Sequence, residues 1–321
     1  ARLINLNDRY VELDNGRKLS YDYLVVATGA TVDYSKIPGL SQLTELYGDY
    51  HSSEENAWRV WRTVNSINEG TLAFILAYER YRCPPSPLEG VLLAEELLRR
   101  RGVRDKVRVV YATSYPRPYP AEPMNEIVEP ILKERGIETV TFFTLDHVDA
   151  EKGIAYSIEG EELKFNAAIV IPPHVGVSIK YSPDNVLDQD GFVLADNGTN
   201  RIKGFDDAFV IGDASALPVA KTGVTAHLQA TVVAKILTGE DARNTGRTHC
   251  PFDMGYGLGT FVISDSKHGV VKYPPNRVNH FLKLTFAASY WSMLKYPELW
   301  DPLMEAYFDA TSPERLIGVF R

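Results

Sequence analysis

Two cysteines are the only thiols in 321 residues, and both stand in settings that suit thiol chemistry. Cys83 opens the run Cys83-Pro84-Pro85-Ser86-Pro87-Leu88-Glu89. From Leu88 to Arg101 the spacing is helical, with Leu88, Val91, Ala94 or Glu95, and Leu98 on one face. Pro87 suits the first helical turn and Gly102 the position just past the end. A cysteine close to a helix start has its thiolate favoured by the helix dipole, and Arg80 and Arg82 are expected to add to that. Glu89 falls in the first turn, where it either shuttles protons or merely complements the dipole. Cys250 lies in His249-Cys250-Pro251-Phe252-Asp253-Met254-Gly255-Tyr256-Gly257. Two cysteines make no disulfide scaffold, and a lone cysteine is more often an inert buried residue.

A second pattern is built on glycine. Tyr23-Leu24-Val25-Val26-Ala27 reads as a strand buried on both faces and runs into Thr28-Gly29. About 180 residues later Phe209-Val210-Ile211 runs into Gly212-Asp213. Gly29 lets backbone approach a ligand closely, and Asp213 can accept hydrogen bonds from ribityl hydroxyls. Lys221-Thr222-Gly223 then opens a helix running to Leu237 and stopped by Gly239. Its free N–H groups and positive end suit an anion, although Thr222 also serves as an ordinary helix cap. Together these segments resemble the second and third FAD motifs of two-dinucleotide-domain flavoproteins, and the resemblance implies FAD held by Thr28, Gly29, Gly212, Asp213, Lys221, Thr222 and Gly223. The first motif of such proteins, G-x-G-x-x-G, occurs nowhere in the chain, and a βαβ unit carrying it is expected ahead of Ala1.

The strand Thr71 to Ala77 is followed by Tyr78-Glu79-Arg80-Tyr81-Arg82-Cys83, with no glycine turn for a pyrophosphate to approach. This argues against NAD(P)H as electron donor. Cys-Pro-Pro-x-Pro-x-Glu in that place, then Gly-Asp, Pro-x-x-Lys-Thr-Gly and a second cysteine, resembles the sulfide:quinone oxidoreductases and the flavoprotein subunit of flavocytochrome c sulfide dehydrogenases. The resemblance covers almost the whole chain. It implies that Cys83 and Cys250 face each other across the flavin as a disulfide or polysulfide bridge, with Glu89 beside them. It also implies that sulfide is the donor. Quinone-reducing members often carry a third cysteine upstream; Tyr50-His51-Ser52-Ser53-Glu54 occupies that place without one.

The elements that must position these residues alternate as strand and helix. Val107 to Ala112 is a strand, Asn125 to Arg135 a helix, Glu138 to Phe143 a strand, 148–165 a meander, and Ala167 to Ile171 a buried strand. The opening reads as a hairpin of 2–6 and 10–13 with a turn at Asp14-Asn15-Gly16-Arg17. The expected fold is α/β: two Rossmann-like dinucleotide-binding domains, the FAD domain lacking its N-terminal βαβ unit in this chain, plus a C-terminal helical membrane-associating tail. The expected divisions are 1–48 and 166–240 for the FAD domain, 49–165 for the second domain, and 241–321 for the tail with the second cysteine.

Residues 273–308 are dense in aromatics, and Phe281, Leu284, Ala288 and Trp291 share a helical face with Leu294 nearby. By the resemblance this tail seats the protein on a membrane beside a quinone channel, with Lys283, Lys295 and Arg315 toward anionic headgroups; the plain alternative is a helix packed on the core or on a second copy in a homo-oligomer. Tyr256 and Phe261 are candidates for lining a quinone pocket, and equally for core. No run of 18 apolar residues could span a membrane. A net charge of −8 argues against nucleic acid as partner. No metal site is expected. A cytochrome acceptor, a type-II NADH:quinone oxidoreductase relative and a non-catalytic flavoprotein-fold binding module remain as alternatives; the missing glycine turn opposes the second of these.

Overall fold

A computed structural model describes residues 1–320. It divides into two compact units, 1–32 with 174–248, and 33–173 with 249–321. The crossings thus fall at 32/33, 173/174 and 248/249, and the tail belongs to the same unit as the second Rossmann-like sheet. The helices are α1 (Leu40–Tyr47), α2 (Glu54–Ser66), α3 (Ser86–Arg100), α4 (Glu122–Glu134), α5 (Gly223–Leu237), α6 (Arg277–Lys295), α7 (Pro297–Ala310) and α8 (Pro313–Ile317).

In the first unit, strands Leu24–Val26 and Ala208–Val210 pair in parallel, Leu24 opposite Ala208 and Val26 opposite Val210. A four-stranded sheet runs Lys180–Ser182, Leu3–Asn5, Tyr10–Glu12, Lys18–Ser20. The turn over 14–17 therefore leads into a third strand that the sequence reading missed, because Lys18–Ser20 is only three residues long and exposed along its length. Ile4, Leu6, Val26, Val193 and Val210 meet in the core. The expectation of a doubly buried strand at 23–27 is corrected. Tyr23 is 62% and Val25 40% exposed, and only Leu24 and Val26 pack on the core. The physical reason is that this strand pairs with a single neighbour among the described residues and has cover on one face.

The second unit is built on a parallel sheet ordered Ala167–Ile171, Gly70–Leu76, Val107–Ala112, Glu138–Val140. Successive side chains of a strand point to opposite faces. Leu72, Phe74, Leu76, Val109 and Tyr111 pack on α3 and α4 through Leu88, Val91, Leu98, Met124 and Val128. Ala73, Ile75, Val110 and Ala112 face α1 and the 143–165 meander through Leu40, Leu43, Phe143 and Val148. With both faces covered, these strands read as continuous apolar runs. A three-stranded sheet, Thr248–Asp253, Gly259–Asp265, Gly269–Val271, places Cys250, Phe252 and Met254 against the α3 and α4 core.

Candidate active site

The thiols come together inside the second unit. The Sγ atoms of Cys83 and Cys250 stand 3.8 Å apart, both as free cysteines. Cys83 reaches this position through a sharp turn. Its φ is +59°, a left-handed conformation that costs a non-glycine residue about 1–3 kcal/mol. Pro84 and Pro85 follow, and the Ser86 N–H closes the turn by donating to the Cys83 carbonyl at 2.8 Å. Helix α3 starts at once, with Pro85 as a cap lacking any side-chain hydrogen bond and Glu89 in the first turn. Cys250 lies in the strand Thr248–Asp253 and is 4% exposed.

The electrostatics set the two thiols apart. Cys83 is held below its ordinary pKa, first by its hydrogen bond with Cys250, while burial and the Glu89 charge oppose this and Lys283 supports it. Cys250 is pushed well above its ordinary value by that same contact and by burial. Glu89 is raised by burial, against the pull of Lys283. Its carboxylate is paired with the Lys283 ammonium and accepts from the Asp253 N–H at 3.3 Å. The expectation that Lys283 faces headgroups is thus corrected, because the buried carboxylate draws it inward from α6. Arg82 also departs from expectation: its guanidinium donates to the His51 carbonyl. Around the thiols, Tyr50, Tyr81 and Tyr119 are raised well above the usual phenol range by burial, so their rings stay neutral. A cavity of about 300 Å³ between α2 and α3 reaches Glu89, Ser86 and Tyr50 past an apolar wall that includes Val60, Trp61 and Leu97.

The residues expected to hold a cofactor gather in the first unit. Thr28 and Gly29 follow one strand of the parallel pair and Gly212 and Asp213 the other, so both segments leave the same edge. Gly29 has φ +71° and nothing within 4 Å of a would-be Cβ, which leaves open space over its backbone. Gly212 packs close on α5, where a Cβ would stand 3.1 Å from that of Ala226, and its N–H donates to Gln229 at 2.6 Å. Thr222 caps α5 by accepting from the Thr225 N–H at 3.1 Å, and Gly223 beside it is exposed with open space around it. Lys221 braces this loop instead of pointing out of it. Its ammonium donates to the Asp213 and Ser215 carbonyls at 2.9 and 2.7 Å and lies 3.9 Å from the Phe192 ring centroid.

Tyr256 and Phe261 are not brought together. The Tyr256 hydroxyl donates to Glu95 at 2.9 Å and its ring lies under Arg135, whereas Phe261 is buried with Ile263, Val271 and Leu316.

The chain matches the pyridine nucleotide-disulphide oxidoreductase family over residues 3–234. It belongs to that family. The resemblance read from the cysteine and flavin motifs is borne out among curated relatives. A mitochondrial sulfide:quinone oxidoreductase of Dictyostelium discoideum is 25% identical, covering 88% of this chain and 66% of the relative. That of Mus musculus is also 25% identical, covering 84% and 66%. The chain therefore spans just under two thirds of these relatives' length. Among solved structures, the sulfide:quinone oxidoreductase of Aquifex aeolicus superposes with a TM-score of 0.79 at 18% identity, over 96% of this chain and 78% of that one, which shows the α/β fold. Sequence reasoning missed Lys283, Asp253 and the cavity beside Glu89. The first two lie 194 and 164 residues from Glu89, and nothing local to them signals the pairing.

Proposed function

We propose that this protein oxidises sulfide through the Cys83–Cys250 pair and passes the electrons by way of FAD to a membrane quinone. The observation that carries the proposal is the 3.8 Å approach of two thiols with oppositely shifted acidities. A direct bridge needs about 2.05 Å between the sulfurs, so a small side-chain movement closes the pair. In the oxidised pair, hydrosulfide attacks one sulfur of the bridge. An S–S bond forms there, the cysteine–cysteine bond breaks, and the other cysteine leaves as a thiolate. Cys83, whose thiol is the more acidic, is the better leaving group. Cys250 then carries the persulfide. Glu89, raised by burial, takes the proton that sulfide loses.

The residues fit FAD. Open backbone at Gly29 and Gly223, with Gly212 packed tightly between strand and helix, makes a place where phosphate and ribityl groups can approach N–H groups. Thr28, Asp213 and Thr222 would complete the hold, with Lys221 shaping the loop from behind. When bound, FAD would supply the two-electron acceptor with which the Cys250 persulfide and the Cys83 thiolate close again, the added sulfur held between them.

Membrane seating belongs to the same proposal. Among the described residues no helix is long and apolar enough to cross a membrane. Helices α6 and α7 instead leave Phe281, Leu284, Trp291, Leu294, Leu299 and Leu303 between 50 and 77% exposed. An apolar face of this kind suits the acyl boundary of one leaflet. Anaerobic addition of sulfide to the flavin-loaded protein, followed in the visible spectrum, tests the proposal. Bleaching of the flavin is the expected result.

A further inference from the structure

The α6 helix has a second side. Asn276 caps it by accepting from the Asn279 N–H at 2.8 Å, and Asn279 itself is buried. The helix start lies directly on strand Gly259–Asp265: a Cβ on Gly259 would stand 2.8 Å from the backbone of His280, so only glycine permits this approach. From this seat His280 lies 3.3 Å from the Asp253 carboxylate, and Lys283, one turn on, meets Glu89.

We propose that Lys283 is a positioning residue for the thiol chemistry: its ammonium, delivered by α6 onto the Glu89 carboxylate, offsets that negative charge beside Cys83. The inference rests on the reading of Cys83 as the reactive thiol. Of the other groups around Cys83, the neighbouring Arg82 turns its guanidinium to the His51 carbonyl. From the β-strand side come the Cys250 thiol and the Asp253 carboxylate, the latter met by His280. From α3 comes Glu89, and from the loop before α2 Asp49, which is engaged by the Tyr34 hydroxyl and the Ser52 N–H. The neighbouring tyrosines Tyr50, Tyr81, Tyr111 and Tyr119 are raised by burial and neutral. Without Lys283, two groups that ionise to anions would face each other in a buried site, and each would hold its proton more tightly.

The test is the pH dependence of alkylation at Cys83 in the reduced, flavin-loaded protein, with iodoacetamide as probe and peptide mass as readout. Lys283→Met should raise the midpoint by about one pH unit or more, and Lys283→Arg should restore it. Glu89→Gln should move it the opposite way, since the ammonium then acts on the thiolate alone. If the methionine variant does not fold, Lys283→Gln removes the same charge and replaces it. An unmoved midpoint in the neutral variant, or an arginine variant that behaves like it, overturns the inference. No sulfide enters this assay, so a protein that fails to oxidise sulfide still reports its Cys83 midpoint, and the two readings fail separately.

Discussion

The two units each place a helix start after a parallel strand, and they use it in contrasting ways. In the first unit, backbone is left bare: Gly29 and Gly223 have nothing within 4 Å where a side chain would begin. In the second, the turn after Gly70–Leu76 is filled by Tyr81, Cys83, Pro84 and Pro85. Bare backbone suits the close approach of phosphate and ribose. A turn filled by side chains offers no glycine for a pyrophosphate to approach, and it puts a thiol of lowered pKa, in a left-handed conformation, at the helix start. On the proposed reading one local architecture serves two chemistries, and the choice between them lies in the presence or absence of glycine.

The largest expected effect breaks the filled side. Cys83→Ser and Cys250→Ser should each lower sulfide-dependent quinone reduction by on the order of a thousandfold or more, since a hydroxyl neither bridges nor leaves as the thiolate does. Retained turnover in either variant would show that the pair is not the sulfide site. The next effect breaks the bare side. Gly29→Val puts a β-branched residue at φ +71° and into the open cradle. The purified variant should lose most of its bound flavin, read as the ratio of visible to ultraviolet absorbance. The filled turn sharpens the contrast in another way: NADH should reduce the flavin at least about a hundredfold more slowly than sulfide does, because no glycine turn admits its pyrophosphate. The smallest effect on the thiol chemistry comes from the tail. Phe281→Glu with Trp291→Glu should abolish cosedimentation with vesicles while sulfide still bleaches the flavin at the wild-type rate. Deletion of the whole tail would remove Lys283 as well, so surface substitutions are the cleaner tool.

Much of this contrast was legible in residue order. Ala-Thr-Gly and Gly-Asp sit at strand ends, where local pattern speaks directly, and the parallel pairing that aligns them follows from two short apolar strands. The α3 helix was read to within two residues at its start and one at its end, from Pro87, Gly102 and the apolar spacing. What stayed hidden depends on contacts distant in sequence. Lys283 looks like a surface lysine on an aromatic helix until Gly259 lets that helix lie against the strand. The hydrogen bond from the Tyr256 hydroxyl to Glu95, 161 residues away, leaves no local trace either. The exposure of Val25 could not be read either, since an apolar run gives no account of how many neighbours the strand will have.

The most direct measurement is an anaerobic titration of the flavin-loaded protein with sulfide, recorded as visible spectra and followed by mass analysis of the cysteine peptides. About one sulfide per flavin should bleach it, and additional sulfur should appear on Cys250 or Cys83. A flavin that stays oxidised under excess sulfide, or one that bleaches while both cysteine peptides remain unmodified, would contradict the proposed reaction.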